Sequence, residues 1–417
     1  MDGEIVKKNF LGINGLGRIG KLMVWYHLKH RHFDGLVVNT GREAGRTFQD
    51  IVEHILHDST YGSLSRFLYG LSREVEVAID DPQQGLCRID GLPLKIIRRH
   101  RNPRDIRWND EGIRLVVDTT GAFTDPTEAS DASSKGSMRG HLEAGAQKVV
   151  VSAPFKIKDK SAQMPSDAAM LIYGINHTSF EPDRHHVVSA ASCTTTGLAH
   201  MVKPLLETKE TADILTASMS TIHAATNTQH VLDAVPKAGA KDLRKSRSVF
   251  NNIILSTTGA AQALEQVLPV IKQVGFMADS VRIPTSTVSL INLNVTFHSP
   301  LDNRGEPKIN SAFLNDIYRE AAAGPQRGLL VYSEKQNVST DLLGYPAALV
   351  LEGHDTHTRT GFIGLSTAML EEIGISHRQA VQIPVTHAKL YGWYDNEYGS
   401  YVHCLGQLTE YVDKTMG

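Results

Sequence analysis

The residues with the most chemistry in them form one run, Ser192-Cys193-Thr194-Thr195-Thr196-Gly197. It follows the apolar stretch His186-Val187-Val188-Ser189-Ala190 and opens a helix-like segment at 198–207, so the cysteine is expected where a strand ends and a helix begins. Unpaired N–H groups and the positive end of a helix dipole favour negative charge there. A thiol so placed is expected to have a lowered pKa and to act, as thiolate, on a carbonyl carbon. A buried cysteine serving as a small apolar residue is the competing reading. The flanking hydroxyls weigh against it, because Ser192 and the three threonines make a poor core but a good anion lining.

A second run has the spacing of a phosphate cradle. Phe10-Leu11-Gly12-Ile13-Asn14 leads into Gly15-Leu16-Gly17-Arg18-Ile19-Gly20, and an amphipathic segment follows at 21–29, giving strand, glycine turn and helix in order. Gly15 allows the tight turn, Gly17 lets a pyrophosphate approach the backbone, and Gly20 lets helix and strand pack closely. The next strand, Gly35-Leu36-Val37-Val38-Asn39, ends at Thr40, where such folds commonly carry an acidic residue for the adenosine ribose. Without that carboxylate a 2′-phosphate loses a repulsive neighbour, and Arg42 could pair with it. The cofactor therefore stays open between NAD and NADP.

These residues need a scaffold. Strands are expected at 74–79, 114–118 and 148–151, alternating with helical stretches as in a mostly parallel sheet. Thr120 and Ser152 then fall just past strand ends, the ligand edge of a doubly wound sheet. After Cys193 the strands at 214–222, 280–283, 286–297 and 329–333 are longer and more alternating, which suits an antiparallel sheet with one covered face. One of them ends at His223. Thr258 and Gly259 open another helix behind hydroxyls, and Arg282 sits in a strand, where it needs an anionic partner. The expected fold class is α/β: an N-terminal Rossmann-type dinucleotide-binding domain over 1–191, onto which 396–417 packs back, and an α+β catalytic domain over 192–395 with a mostly antiparallel sheet.

A net charge of −2 leaves no electrostatic footprint for nucleic acid, and Arg98-Arg99-His100-Arg101 reads as a solvated surface run. Three widely spaced cysteines argue against a disulfide framework or a paired-cysteine metal site, so no metal is expected. Met1-Asp2-Gly3-Glu4 shows no targeting pattern and no stretch is long enough to span a membrane, so a soluble, cytoplasmic protein is expected.

The sequence closely resembles the phosphorylating glyceraldehyde-3-phosphate dehydrogenases. The resemblance runs in family order through 13–20, His57-Asp58-Ser59-Thr60-Tyr61-Gly62, Thr120-Gly121-Ala122-Phe123, Ser152-Ala153-Pro154, Gly174-Ile175-Asn176-His177, 189–195, Ile222-His223-Ala224, Thr258-Gly259-Ala260-Ala261 and 393–397. It implies Cys193 as nucleophile and His223 as its base, keeping the thiol ionised and then accepting the hemiacetal proton. It further implies that Thr226, Thr228 and Arg282 hold the substrate phosphate and that Ser192, Thr194, Thr258, Gly259 and Lys245 hold the attacking phosphate. Asn396 would fix the nicotinamide amide, and the backbone of Arg18 and Ile19 the pyrophosphate. A homotetramer working in glycolysis and gluconeogenesis goes with the family.

Five positions depart from the pattern: Thr40 replaces an aspartate, Thr196-Gly197 an Asn-Cys pair, Lys245 an arginine and Ser400 a tyrosine. Extra length is expected in surface insertions at 124–139, 238–241 and 353–382. Two other functions are consistent with the residues. One is the same chemistry on erythrose 4-phosphate, with water resolving the thioester. The other is a dinucleotide-binding paralogue with a regulatory or interaction role.

Overall fold

Runs of β-branched residues punctuated by glycine turns build the first of the two large sheets. The computed structural model describes residues 8–377 and 379–417; the Met1-Asp2-Gly3-Glu4 segment read for targeting signals lies outside them. The chain divides into two compact units, one running up to Ser192 and including Tyr401–Gly417, the other spanning Cys193–Ser400.

In the first unit nine strands lie in the order Ala168–Met170, Val187–Ser189, Lys148–Val151, Leu115–Asp118, Phe10–Asn14, Gly35–Asn39, Leu92–Ile97, Leu86–Ile89, Val77–Asp81. The first seven are parallel and the last two pair antiparallel. Gly35–Asn39, Leu115–Asp118 and Lys148–Val151 are buried along their whole length, as a parallel sheet covered on both faces requires. From Phe10–Asn14 the chain builds outward first to one side and then to the other. That strand's carboxyl end is therefore the switch point at which such sheets bind ligand.

The helix Arg18–His30 begins directly after the glycine turn, and the terminal helix His403–Met416 packs on it. Their approach is close: a Cβ on Gly406 would lie 2.3 Å from the Tyr26 ring. Asp413 of the last helix also accepts hydrogen bonds from Asn9 at 2.7 Å and pairs with His32 at 2.8 Å.

Two expectations need correction here. The 74–79 strand runs instead from Val77 to Asp81 and is an exposed antiparallel edge with no helix after it, because it hydrogen-bonds back across a turn to Leu86–Ile89. The 124–139 segment is not wholly surface. Ser130, Ser137 and Met138 are buried, and the Asp125 carboxylate folds the segment by accepting from the Thr127 N–H and hydroxyl and the Lys158 N–H.

In the second unit the order is Ile254–Thr257, Gly275–Ile283, Ile214–Ala224, Ser289–His298, Val381–Tyr394, Leu349–Glu352, Leu330–Ser333, a mostly antiparallel sheet. Alternate residues of Ser289–His298 are buried, and the covered face carries the helices Cys193–Glu207, Ala260–Val267 and Ser311–Ala323. The 353–382 region forms the strand His357–Leu365, the short helix Thr367–Glu372 and a return that lengthens Val381–Tyr394, with which His357–Leu365 pairs antiparallel.

Candidate active site

The helix Cys193–Glu207 places the cysteine on its first turn. Two residues earlier the backbone is bent sharply: Ala191 adopts φ 55°, a left-handed conformation costing a non-glycine residue about 1–2 kcal/mol. Cys193 Sγ lies 3.7 Å from His223 Nε2, and His223 comes from the carboxyl end of Ile214–Ala224. The parallel pairing of that strand with Gly275–Ile283 sets His223 directly opposite Arg282. Three side chains from three elements thus meet at one point.

His223 Nδ1 faces two competing partners, the Ala224 carbonyl oxygen at 2.7 Å and Arg282 Nη1 at 2.5 Å. One is an acceptor and the other a donor, so the nitrogen serves only one at a time. When Nδ1 carries the proton and donates it to Ala224, Nε2 presents a lone pair to the thiol. Burial, reinforced by the Arg282 charge, pushes the imidazole down to about 4.

The thiol departs from expectation. Burial pushes its pKa up, and this outweighs the opposing pull of the Arg282 charge and of the Thr194 hydroxyl and helix-start N–H groups. Burial thus opposes charge on both partners, the thiolate and the imidazolium alike.

The Thr194 hydroxyl is also turned inward. It lies 2.8 Å from the Tyr394 hydroxyl, which reaches Thr221 at 2.7 Å, so Thr194 braces the helix start. A Cβ on Gly197 would stand 3.3 Å from the end of the Ile291 side chain and 3.4 Å from the Tyr394 ring, a close but not forbidding approach. Nothing in the structure explains Thr196, which is buried.

The expected phosphate residues fall into separate groups. Thr226 and Thr228 are together, their hydroxyls 2.9 Å apart and both bonded to Gln229. Arg282 reaches into the Cys193–His223 pair, while its buried Nε has no hydrogen-bond partner among the described residues. Thr258 accepts from the Ala260 N–H at the start of Ala260–Val267, and Gly259 is the exposed residue before that helix. Lys245 stands exposed on the 3₁₀ turn Leu243–Ser246, with no bond to the others. Ser192 is the half-buried residue immediately before the nucleophile.

Asn396 is held by its carboxamide oxygen, which accepts from Thr287 at 3.2 Å and Ser289 at 3.1 Å. Val288 between them takes φ 64°, an outlier for a β-branched residue, and the pinched backbone lets both hydroxyls reach one oxygen. Ser400 does not take the place of an aromatic ring, because it is buried and accepts from the Asp395 N–H at 2.9 Å, closing the loop that carries Asn396.

In the first unit the three glycines of the turn differ in why they are glycine. Gly15 has φ 101°, and a Cβ on Gly20 would overlap the Gly15 carbonyl oxygen at 2.0 Å. Gly17, the residue capping Arg18–His30, would meet no protein atom within 4 Å and has no side-chain cap. That open approach beside the helix start of Arg18 and Ile19 fits a pyrophosphate. Thr120 and Ser152 line the same sheet edge. Thr120 donates by hydroxyl and N–H to Asp118 Oδ1 at 2.6 and 2.9 Å, and the Ser152 N–H donates to the Asp118 carbonyl at 2.9 Å.

The structure adds residues to which sequence reasoning gave no role. Asp118 is fully buried, and Oδ2 accepts from Asn14 at 2.7 Å and from His141 Nε2 at 3.0 Å. Trp108 donates to His141 Nδ1 at 2.9 Å, which fixes the proton on Nε2. Burial alone would raise the Asp118 pKa, but the His141, Thr120 and Asn14 bonds hold it below the usual carboxylate range. Asp58 ties Arg18 and Lys21 together behind the turn and accepts from the Thr60 and Tyr61 N–H groups. A buried aspartate closing a β-branched run was the available signal for Asp118. No metal-competent group of three or more His, Cys, Asp or Glu side chains occurs among the described residues.

A parallel sheet with a glycine phosphate turn, joined to an α+β unit with a Cys-His pair at a helix start, defines a dinucleotide-binding oxidoreductase class. Comparison with known proteins is specific. The family model described as glyceraldehyde 3-phosphate dehydrogenase, NAD binding domain, matches residues 10–126, and that of the C-terminal domain matches residues 192–367. Similar relatives include the glyceraldehyde-3-phosphate dehydrogenase of Geobacillus stearothermophilus, 31% identical over 404 residues that cover 96% of this chain and 97% of the relative. The enzyme of Streptomyces coelicolor is 31% identical over 404 residues, covering 96% and 98%. That of Bacillus subtilis is 30% identical over 405 residues, covering 97% and 98%. The chain belongs to the glyceraldehyde-3-phosphate dehydrogenase family.

Proposed function

We propose that the protein is a phosphorylating glyceraldehyde-3-phosphate dehydrogenase that uses NAD or NADP. The observation that carries the reading is Cys193 Sγ 3.7 Å from His223 Nε2 on a helix start, with Arg282 in register beside them. His223 Nε2 takes the thiol proton as Sγ bonds to the aldehyde carbon and passes it to the new alkoxide, which the Cys193 N–H and the imidazole steady, so that a thiohemiacetal hydroxyl forms and His223 is neutral again. Bound nicotinamide supplies the hydride acceptor. As the hydride leaves, His223 removes the hydroxyl proton of the thiohemiacetal, and a thioester on Cys193 remains. Inorganic phosphate then attacks the acyl carbon and displaces the Cys193 thiolate.

In this reading the first unit binds the dinucleotide, through the 15–20 turn, Thr120 and Ser152. Asn396 donates to the nicotinamide carboxamide. Thr226, Thr228 and Arg282 anchor the substrate phosphate, while Ser192, Thr194, Thr258, Gly259 and Lys245 serve the attacking phosphate. A homotetramer in the cytoplasm completes the proposal.

Initial rates with each cofactor, with glyceraldehyde 3-phosphate and erythrose 4-phosphate, and with or without inorganic phosphate test it. Phosphate-dependent reduction on the triose phosphate, lost in Cys193→Ala, is the expected result. A rate indifferent to phosphate points to hydrolysis of the thioester instead. No reduction of either cofactor overturns the enzymatic reading.

A further inference from the structure

One built surface has no role so far. Past the end of Gly35–Asn39 lies an open cleft of about 540 Å³ lined by Arg42, Arg98, Arg99 and Arg101. Resting on the reading of the 15–20 turn as a dinucleotide cradle, we infer that this cleft takes the 2′-phosphate of NADP and makes the chain select NADP over NAD.

The location follows from the backbone. The Gly15 N–H donates to the Asn39 carbonyl at 2.8 Å, so the phosphate turn and the end of the second strand are neighbours. In such folds the adenosine ribose lies at that strand end, its 2′ position facing the residue that follows. The residue here is Thr40, whose N–H donates to the Ile97 carbonyl at 2.9 Å. Asn39 Nδ2 donates to the His100 carbonyl at 2.9 Å, binding the loop after Gly35–Asn39 to the loop after Leu92–Ile97. Gly41, with φ 71°, turns against that same carbonyl. The basic run that reads in sequence as solvated surface is thereby brought beside Arg42.

The charge balance points the same way. Of the carboxylates on the cleft, Glu43 pairs with Arg98 at 3.5 Å and Asp105 lies 4.0 Å from Arg104. Among the described residues, Arg42, Arg99 and Arg101 have no carboxylate within 4 Å. Three unpaired guanidiniums around one opening repel one another and attract a multivalent anion. A phosphomonoester carries roughly −1.5 to −2 charge at neutral pH and three acceptor oxygens, which suits their forked donors. Thr40 contributes by what it lacks. A carboxylate there would accept from a free ribose hydroxyl and repel a phosphate, whereas its hydroxyl donates to the Arg42 carbonyl at 2.6 Å and fixes the loop that bears the arginine.

The test is calorimetric titration of the whole protein with 2′,5′-ADP against 5′-AMP, and with NADP against NAD. The phosphorylated member of each pair should bind at least about tenfold tighter, and the gap should narrow between 50 and 500 mM salt as screening grows. Arg42→Ala with Arg99→Ala should erase the gap while 5′-AMP affinity stays within about twofold, which also reports that the cradle remains folded. Thr40→Asp should move the preference toward NAD. Equal affinities within each pair, or a preference that survives the arginine substitutions, would overturn the inference. Binding of no nucleotide would remove the cradle on which it rests. Because no aldehyde is present, the result is independent of whether the protein oxidises glyceraldehyde 3-phosphate.

Discussion

His223 owes its chemistry to a conflict at one atom. Arg282 Nη1 crowds Nδ1 at 2.5 Å, and its charge is the second cause, after burial, of the imidazole's low pKa. Arg282→Gln should therefore raise the His223 pKa and, by removing a charge that stabilises the thiolate, raise the Cys193 pKa as well. Both limbs of the pH profile of kcat/KM should move to higher pH, a shift that a purely substrate-binding arginine would not cause. An unshifted profile with only KM increased would refute this coupling. The glycines make a second contrast. Gly17→Ser keeps a good helix cap and meets open space, so stability should hold within about 0.5 kcal/mol while dinucleotide affinity drops at least about tenfold. Gly20→Ala drives a Cβ into the Gly15 carbonyl and should destabilise the fold by several kcal/mol, on the order of an overpacked core. Thermal unfolding with nucleotide titration separates the two; equal losses of stability would contradict the assignment. Residue types and spacing made the strand-to-helix setting of Cys193 legible. The direction of the thiol's pKa was not, because it depends on how deeply Sγ is buried, which no spacing reveals.

At the scale of elements, the strands of the parallel sheet are readable because both-face burial demands unbroken apolar runs such as Leu115–Asp118 and Lys148–Val151. The Val77–Asp81 edge and the 124–139 segment are less so, since pairing partners and a carboxylate clasp such as Asp125 are set by tertiary contacts. The helix Arg18–His30 carries a cost its sequence does not show. His27 is buried with neither ring nitrogen hydrogen-bonded among the described residues, and burial holds its pKa down to about 3. An unfolded chain protonates this ring below pH about 6.5 while the folded one stays neutral. Protons therefore favour unfolding, and stability should fall by ~1.4 kcal/mol per pH unit as pH drops from about 6.5 toward 3. His223 adds a similar slope down to about pH 4. Urea unfolding at pH 7, 6 and 5 reads the slope, and His27→Phe should remove its own share. A pH-independent midpoint in the parent protein would refute the account.

For the whole molecule, the two sheet types are legible from the change in alternation after Cys193, and the family comparison covers nearly the full chain. The His357–Leu365 extension is legible only as added length, because its partner strand is the prolonged start of Val381–Tyr394. The closing helix has a further consequence, in the order of biosynthesis. The unit that begins first in the chain includes Tyr401–Gly417, whereas the unit over Cys193–Ser400 is one continuous segment. During translation the second unit can be completed while the first still lacks the helix that covers Tyr26. In ribosome-bound chains arrested after residue 400 has emerged, protease resistance should appear over 193–400 before it appears over 8–192. Simultaneous protection of both would show that the first unit closes without its last helix.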